Sequence, residues 1–167
     1  LFMGSEWGQW QEWREAESLH WHLLGDSRHS TLRDFNRHLN HLYRAAPALH
    51  ATDWDGAASR WLELHNSHES VFGFLRGHAD RPGALACMFN ATPVPRGGYR
   101  IGLPSGGRWE KVLDSDEVAW GGSGHARQEQ SVEAQPGEWN GMPFHADLTL
   151  PPLSAAQIML MLDRYLG

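Results

Sequence analysis

Cysteine, long apolar runs and clustered positive charge are all scarce in this sequence of 167 residues. Cys87 is the only cysteine, which excludes a framework of internal disulfide bonds and is compatible with a reducing cytoplasm. No apolar run approaches the ~20 residues that a membrane-spanning helix needs. The basic residues are scattered and the formal net charge is -6, whereas nucleic-acid-binding domains usually carry a basic patch. We therefore expect a cytoplasmic protein with neither a membrane nor a nucleic-acid partner.

The composition is typical of a soluble globular protein, with 41% hydrophobic and 20% charged residues. The length allows one domain or about one and a half. The opening residues, Leu1-Phe2-Met3-Gly4, include neither an initiator methionine nor the pattern of a signal peptide. Natural termini are usually polar and frayed. We therefore interpret this start as the boundary of a piece of a longer protein.

The first 47 residues are predicted to form a strand, a long loop and a helix. Residues 1–3 are apolar and precede a glycine, as at the end of a buried strand, and residues 4–30 show no steady period. In residues 31–44, apolar side chains recur at steps of three and four, as on one face of an amphipathic helix (Leu32, Phe35, Leu39 and Leu42). Pro47 prevents much continuation of that helix. This order is typical of the βα unit of a parallel α/β fold.

After Pro47 the pattern changes to short β-rich runs separated by glycine- and proline-rich turns. Seven such runs predict an antiparallel β-sandwich, so the fold class of the chain is mainly β. The predicted strands are 60–64, 71–76, 84–89, 99–103, 109–113, 146–150 and 157–162. The last run could also be read as a helix over 155–164, but the preceding Pro151-Pro152 and the alternation before it favour a strand.

Two carboxylates and three indoles are concentrated in residues 4–13, within the predicted loop. In a βα barrel, the loops that follow the strands build the catalytic face. Glu6 and Glu12 could serve glycosidic chemistry, which uses paired carboxylates, and Trp7, Trp10 and Trp13 could stack on sugar rings. The alternative is that Glu6 and Glu12 are structural and accept hydrogen bonds from backbone N–H groups of the loop.

Other motifs are weak. The sequence has eleven histidines, but none stands in a His-Glu-x-x-His motif or beside a cysteine pair, so no metal site is expected. Residues 121–124 read Gly-Gly-Ser-Gly, without the Lys of a phosphate loop or the second Gly of a nucleophile elbow, and are predicted to form a turn. Most of the nine tryptophans are expected to fill cores or domain seams, although sugar stacking is the other role that suits an indole.

Several long segments match one known family in the correct order along nearly the whole chain. Residues 1–13 (Leu-Phe-Met-Gly-Ser-Glu-Trp-Gly-Gln-Trp-Gln-Glu-Trp) resemble the segment at barrel strand eight of glycogen (1,4-α-glucan) branching enzymes, of the α-amylase superfamily. Residues 89–102 resemble the Asn-Phe-Thr-Pro-Val-Pro-Arg…Tyr-Arg-x-Gly signature of that family's C-terminal domain. The chain departs from the family at Arg14, usually Asn, and at His20, usually Asp, and Ala91 is inserted in the signature.

The resemblance implies the C-terminal part of such an enzyme. Residues 1–47 would be the end of the catalytic (β/α)8 barrel and residues 48–167 an all-β domain. The family cleaves an α-1,4 bond of a glucan and transfers the freed segment to a 6-hydroxyl, by a retaining mechanism that needs no metal or organic cofactor. Its catalytic carboxylates lie before strand eight, so no catalytic residue is expected here. The chain alone is expected to be inactive and to need the N-terminal part of the enzyme.

The resemblance also implies that the first loop borders the active-site cleft, where an α-glucan would bind. Glu6, Trp7, Trp10 and Trp13 are the candidate residues that line this cleft. Two alternatives stay open: a non-catalytic module that binds glucan or supports another domain, and a related trehalose-releasing hydrolase of the same superfamily. The segments 92–96 and 121–124 argue against the hydrolase.

Overall fold

In a computed structural model of the chain, the described residues form one long helix followed by eight antiparallel strands. The structure describes residues 2–79, 81 and 83–160, with the backbone alone for residues 157–160. The helix, α1, spans Ser27–Ala45. The strands are β1 (Ser59–Asn66), β2 (Val71–Arg76), β3 (Leu85–Asn90), β4 (Arg96–Leu103), β5 (Gly107–Asp114), β6 (Ser131–Trp139), β7 (Met142–Leu150) and β8 (Ser154–Leu160). Short 3-10 turns lie at Ser5–Trp7, Trp21–Gly25, Pro47–Leu49, Gly56–Ala58 and Val118–Trp120.

The predicted helix is confirmed, but it begins four residues earlier than residue 31 because Asp26 caps it. The Asp26 carboxylate accepts a hydrogen bond from the backbone N–H of Arg28, at 2.9 Å, and so satisfies one free donor of the first turn. Hydrogen bonds from the side chain and backbone of Arg28 lower the pKa of Asp26 to about 2. The helix ends at Ala45, two residues before Pro47.

The eight strands form one sheet in the order β1-β2-β3-β8-β5-β6-β7-β4, and every neighbouring pair is antiparallel. The sheet bends so that its two halves face each other, because alternate residues of both halves bury their side chains in one core. Trp109 of β5 is the largest side chain in this core and is fully buried. The other core residues include Leu62, Leu75, Met88, Ile101, Leu103, Met142 and Leu150. This arrangement confirms the predicted antiparallel, mainly β fold.

The two edge strands, β1 and β4, are joined by polar side chains instead of a backbone ladder. Asn66 donates to the Tyr99 hydroxyl at 2.8 Å, and that hydroxyl donates to Glu63 at 3.2 Å. Arg96 donates to Glu69 at 3.1 Å. Burial raises the pKa of Tyr99 above its ordinary value. These contacts close the two layers at the edge where a free strand would otherwise be exposed.

Helix α1 lies against the outer face of this sheet through a second, smaller apolar cluster. Leu85 and Cys87 of β3 are buried there with Ala46, and Leu42 of α1 and Leu49 pack on them. Burial raises the pKa of the Cys87 thiol to about 12, so the thiol is unreactive at neutral pH. The cluster attaches the helix to the β domain.

All seven predicted strands are found, and the strand predicted at 157–162 is described as far as Leu160, which excludes the helical alternative for 155–160. Residues 161–164 lie outside the described residues. Strand β6 escaped prediction because it contains Pro136 and Gly137, which normally break strands. The register with β7 shifts between Pro136 and Trp139, so a local irregularity accommodates both breakers.

The predicted strand at residues 1–3 is wrong for Phe2 and Met3, and Leu1 lies outside the described residues. Phe2 accepts a hydrogen bond from the backbone of Ser5 at 2.8 Å, so the chain turns here. A parallel strand needs a neighbour to pair with, and no strand pairs with these two residues in the part of the chain that the structure describes. The predicted boundary between residues 1–47 and 48–167 stays a prediction. The described portion also holds no helix both long and apolar enough to cross a membrane.

Candidate functional site at the first loop

Two glycines give the first loop its tight turn. Gly4 and Gly8 have φ angles of 90° and 69°, a left-handed conformation that favours glycine, and they bracket the 3-10 turn Ser5–Trp7. The backbone N–H of Gly4 donates to the Glu6 carboxylate at 2.9 Å. A Cβ at Gly4 would lie 2.9 Å from Oε1 of Gln9, so a larger residue would displace this side chain, which accepts a hydrogen bond from the backbone of His20. The sequence Gly-Ser-Glu-Trp-Gly therefore folds into one compact turn.

Helix α1 holds this turn through two hydrogen bonds to its backbone. Nδ1 of His29 donates to the carbonyl of Trp7 at 2.6 Å, and Nδ2 of Asn36 donates to the carbonyl of Glu6 at 2.8 Å. His29 is itself buried. His29 and Asn36 are seven residues apart and therefore lie two turns apart on one face of the helix. The helix thus fixes the position of the turn at two points.

The four predicted cleft residues occupy different environments. Trp10 is 73% exposed and forms a T-shaped pair with the ring of His29, at 5.2 Å between ring centroids. Trp13 is half-buried, with Phe2 edge-on at 5.7 Å. Trp7 is buried, and half-buried Glu6 is turned back onto Gly4. Trp10 is therefore the one of the four whose ring faces solvent, and Glu6 has the structural role that was the alternative to catalysis.

A further indole, Trp21, completes this group, although the sequence did not single it out as a site residue. Its ring lies 4.7 Å from that of Trp7 at an interplanar angle of 32° and covers it. Trp21 opens the 3-10 turn Trp21–Gly25 and is more than half exposed. In the sequence, Trp21 lies between His20 and His22, in a stretch where apolar residues show no steady period. Only the return of the chain toward the first turn brings Trp21 to this site.

The β domain contacts the opposite side of α1 through Trp120. The Trp120 ring lies 5.7 Å from that of Phe35 and 5.2 Å from that of His38. Phe35 and His38 are three residues apart and so share one face of the helix. The same helix therefore contacts the first turn through His29 and Asn36 and the β domain through Phe35 and His38.

Asp116 holds the loop that carries Trp120. Its carboxylate accepts hydrogen bonds from the backbone and hydroxyl of Ser123, at 2.8 and 2.7 Å, and from the backbone of His125, at 3.0 Å. Burial tends to raise the pKa of Asp116, but these hydrogen bonds outweigh it and hold the pKa below its ordinary value. A Cβ at Gly122 would lie 2.2 Å from the carbonyl oxygen of Asp116, which explains the glycine there. The predicted turn at 121–124 is present, and its geometry is fixed by a buried carboxylate.

The histidines of this loop are not joined by enough further ligands to bind a metal ion, as far as the described residues show. Across residues 2–79, 81 and 83–160, no group of three or more His, Cys, Asp and Glu side chains could hold a metal ion. His20 and His22 have ring centroids 5.4 Å apart but no third ligand among these residues. The arrangement offers an exposed indole beside a rigid turn, which suits contact with a sugar ring.

Comparisons with known proteins match the chain to a domain of alpha amylase and to 1,4-alpha-glucan branching enzymes. Residues 61–160 match the family model described as the C-terminal all-beta domain of alpha amylase. The chain is 44% identical over 155 residues to the 1,4-alpha-glucan branching enzyme GlgB of Thiobacillus denitrificans, which covers 93% of this chain and 21% of that protein. It is 40% identical over 159 residues to the GlgB of Marinobacter nauticus, covering 95% of this chain and 25% of that protein. The chain thus spans about a fifth to a quarter of these curated relatives.

Among solved structures, the chain is similar to the trehalulose synthase MutB from Pseudomonas mesoacidophila MX-45. The TM-score is 0.45 and the sequence identity 18%, over 84% of this chain and 19% of that one.

Proposed function

The chain belongs to the family of C-terminal all-β domains of α-amylases, and we propose that it is the C-terminal part of a 1,4-α-glucan branching enzyme. The observation that carries this proposal is the 44% identity to a branching enzyme over 93% of the chain. The enzyme would cleave an α-1,4 bond in a glucan and transfer the freed segment to a 6-hydroxyl, which forms an α-1,6 branch.

The catalytic carboxylates of this reaction are contributed by the rest of the enzyme. A retaining transfer needs two carboxyl groups about 5–5.5 Å apart, one as nucleophile and one as acid and then base. Within the first loop, the Glu6 carboxylate accepts from Gly4 and is engaged in holding the turn. The chain alone is therefore inactive, and the N-terminal part of the enzyme is the partner that it needs.

The contribution of this chain is to position the first loop at the edge of the glucan-binding cleft. What supports this role is the series of contacts from the Asp116 loop through Trp120 to α1, and from α1 to the first turn. Trp10 stacks on a glucosyl unit, and Trp7 and Trp13 support the loop beneath and beside it. Phe2 and Met3, directly before the first turn, are both more than half exposed, which supports packing of further chain against this loop.

The cytoplasm is the proposed location. Its support is the lone, buried cysteine, since proteins of oxidising compartments more often carry paired cysteines.

The test compares two polypeptides in an assay with amylose and iodine. The 167-residue chain alone leaves the blue stain unchanged, whereas the same chain extended by the catalytic barrel of its gene lowers the stain and yields α-1,6 linkages. Loss of stain with the short chain would contradict its inactivity. An extended enzyme that forms no α-1,6 linkages would contradict the branching function.

A non-catalytic glucan-binding module is the second candidate, and the exposed indoles Trp10, Trp21, Trp54 and Trp61 favour it. Retention of the chain on immobilised amylose, together with an upstream gene that lacks barrel motifs, would support the module. Release of trehalose by the extended enzyme would instead identify the related hydrolase.

A further inference from the structure

The turn between β6 and β7 consists of Asn140 and Gly141. Trp139, the last residue of β6, pairs with Met142, the first residue of β7, so this hairpin has a two-residue loop. The φ angles of Asn140 and Gly141 are 49° and 72°, the left-handed pair that a type I′ turn requires. Both residues are exposed to solvent. The tip of the hairpin is therefore a tight and accessible Asn-Gly turn.

The hairpin tip is bound to β1, in the other half of the bent sheet. Nδ2 of Asn140 donates to the carbonyl of Leu62 at 3.2 Å and to the carboxylate of Glu63 at 3.1 Å. Nη2 of Arg60 donates to the carbonyl of Gly141 at 3.1 Å. Because β2, β3, β8 and β5 separate β1 from this hairpin in the strand order, these hydrogen bonds join the two layers without a backbone ladder.

Asparagine is a thermolabile residue, and most of all when a glycine follows it, as at this turn. The backbone nitrogen of the glycine loses its proton and bonds to Cγ of the asparagine, while the bond from Cγ to Nδ2 breaks and Nδ2 leaves as ammonia with a proton from solvent. Water then opens the succinimide ring, which gives an aspartate or an isoaspartate. Gly141 has no side chain to hinder its nitrogen. Apart from the adjacent residues, the nearest atom to a Cβ built there is Nη2 of Arg60, at 3.7 Å.

The contact with β1 opposes this reaction. The two hydrogen bonds of Nδ2 hold the amide of Asn140 against β1 and restrict the rotation that Cγ needs to reach the nitrogen of Gly141. The Glu63 carboxylate is itself held in place, because the Tyr99 hydroxyl donates to the same oxygen at 3.2 Å. Exposed hairpin tips open locally far more often than a whole domain unfolds. The ring therefore closes only when the tip has separated from β1.

The product of the reaction cannot restore the contact. A carboxylate at position 140 has no hydrogen to donate. It would face the carbonyl oxygen of Leu62 and the carboxylate of Glu63, both of which are acceptors in the folded chain. Two negative charges at hydrogen-bond distance also repel each other. Conversion of Asn140 thus replaces an attraction between the hairpin and β1 by a repulsion.

We propose that Asn140 is a deamidation site that is protected while the hairpin tip contacts β1, and that its conversion leaves the tip detached. The ammonia is lost to solvent, so the change is irreversible. The turn therefore acts as a chemical latch that limits how long the β domain keeps this edge closed. This inference goes beyond the proposed function and does not depend on it.

The first experiment incubates the 167-residue chain at mildly alkaline pH and follows each asparagine by peptide mapping with mass spectrometry. Asn140 is expected to convert, whereas Asn66, which lies on β1 and precedes a serine, keeps its amide. Glu63→Ala removes one acceptor and should raise the rate at Asn140 several-fold. Glu63→Gln keeps an acceptor oxygen and is the matched control. In urea, where the hairpin and β1 are separated, the wild type and both variants should convert at one common, higher rate.

The second experiment measures the urea midpoint of unfolding. Asn140→Asp reproduces the product of the reaction and should lower the midpoint. Asn140→Gly keeps the left-handed turn and removes the hydrogen bonds without adding a charge, so it should lower the midpoint less. Circular dichroism of each variant verifies that the β domain is folded.

An amide at Asn140 that lasts as long as that of Asn66 would overturn the proposal. Equal rates in the folded wild type and in folded Glu63→Ala would overturn the protection by β1, as would equal rates for the wild type in buffer and in urea, a comparison that needs no variant to fold. Equal midpoints for the wild type and Asn140→Asp would overturn the detachment of the tip.

Discussion

Trp109 and Trp7 are both buried indoles, but the two regions that contain them keep out water in different ways. Trp109 is 0% exposed in a core to which both layers of the sheet contribute. Trp7 is 5% exposed, and its cover is Trp21, which is itself largely in solvent. The β domain therefore completes its own core. The loop and helix before Pro47 are covered only in part by their own side chains.

The difference extends over the whole first segment. Six of its large apolar side chains are at least 38% exposed: Phe2, Met3, Trp10, Trp21, Leu32 and Tyr43. Exposed apolar surface of this kind usually marks contact with another protein surface or a ligand. We therefore expect the β domain to act as the support and the less covered first segment to make the contacts, which is the common division between a scaffold and its loops.

Truncation of the buried indole of the β domain is expected to have the largest effect. Trp109→Ala would leave a cavity in the core and lower the free energy of unfolding by about 3–5 kcal/mol. Urea unfolding followed by circular dichroism measures this change. Trp139→Ala, which truncates a partly exposed indole of the same sheet, should cost much less. Equal losses in the two variants would show that the core does not depend on Trp109.

An intermediate effect is expected at the contact between the two regions. Asp116→Asn weakens the hydrogen bonds from Ser123 and His125, and we expect a loss of about 1–2 kcal/mol in the free energy of unfolding at pH 6. Because the folded state lowers the pKa of Asp116, this carboxylate takes up its proton near pH 4 in the unfolded chain but only at a lower pH in the folded chain. The stabilisation is therefore complete above that pH and is lost as the pH falls through the lowered value.

Urea unfolding at pH 6 and at pH 3 measures this dependence. The difference in stability between the wild type and Asp116→Asn should shrink at pH 3. Glu138→Gln, which changes an exposed carboxylate on β6, is the control and should leave the pH dependence unaltered. A difference that grows with acidification would contradict the assignment.

The smallest effect on stability is expected in the first loop. Trp10→Ala removes an exposed indole, so the free energy of unfolding should change by no more than about 0.5 kcal/mol. If Trp10 borders the cleft, the same change in the extended enzyme raises the KM for amylose several-fold. Urea unfolding and the iodine assay give the two quantities. A stability loss comparable to that of Trp109→Ala would abolish the distinction between the regions.

The extent to which the sequence predicted the fold differs between its elements. The steps of three and four in α1 and the β-rich runs of seven strands were readable because local periodicity reflects which face is buried. Strand β6 was not readable, since Pro136 and Gly137 oppose a strand and only pairing with β5 and β7 overrides them. At Phe2 and Met3 an apolar run suggested a strand, but strand formation also requires a partner that the local sequence does not specify.

The candidate site was predicted only in part. The concentration of indoles and carboxylates in residues 4–13 indicated a loop with a function, and the family resemblance placed Glu6, Trp7, Trp10 and Trp13 together along the cleft. The structure separates them, because Trp21 covers Trp7 and the turn at Gly4 captures the Glu6 carboxylate. Both contacts depend on the course of the backbone, and the periodicity of the sequence gives no information about that course.

The sequence by itself determined the mainly β class, the amphipathic helix and the position of the indole-rich loop, because each of these depends on residues that are close together along the chain. The tertiary structure decided the closing of the sheet through Tyr99, the support of α1 by Trp120 and the exposure of Trp10. The physical reason is that burial and hydrogen bonding depend on partners distant along the chain. Asn66 and Tyr99, for example, are 33 residues apart and meet only when the sheet has bent.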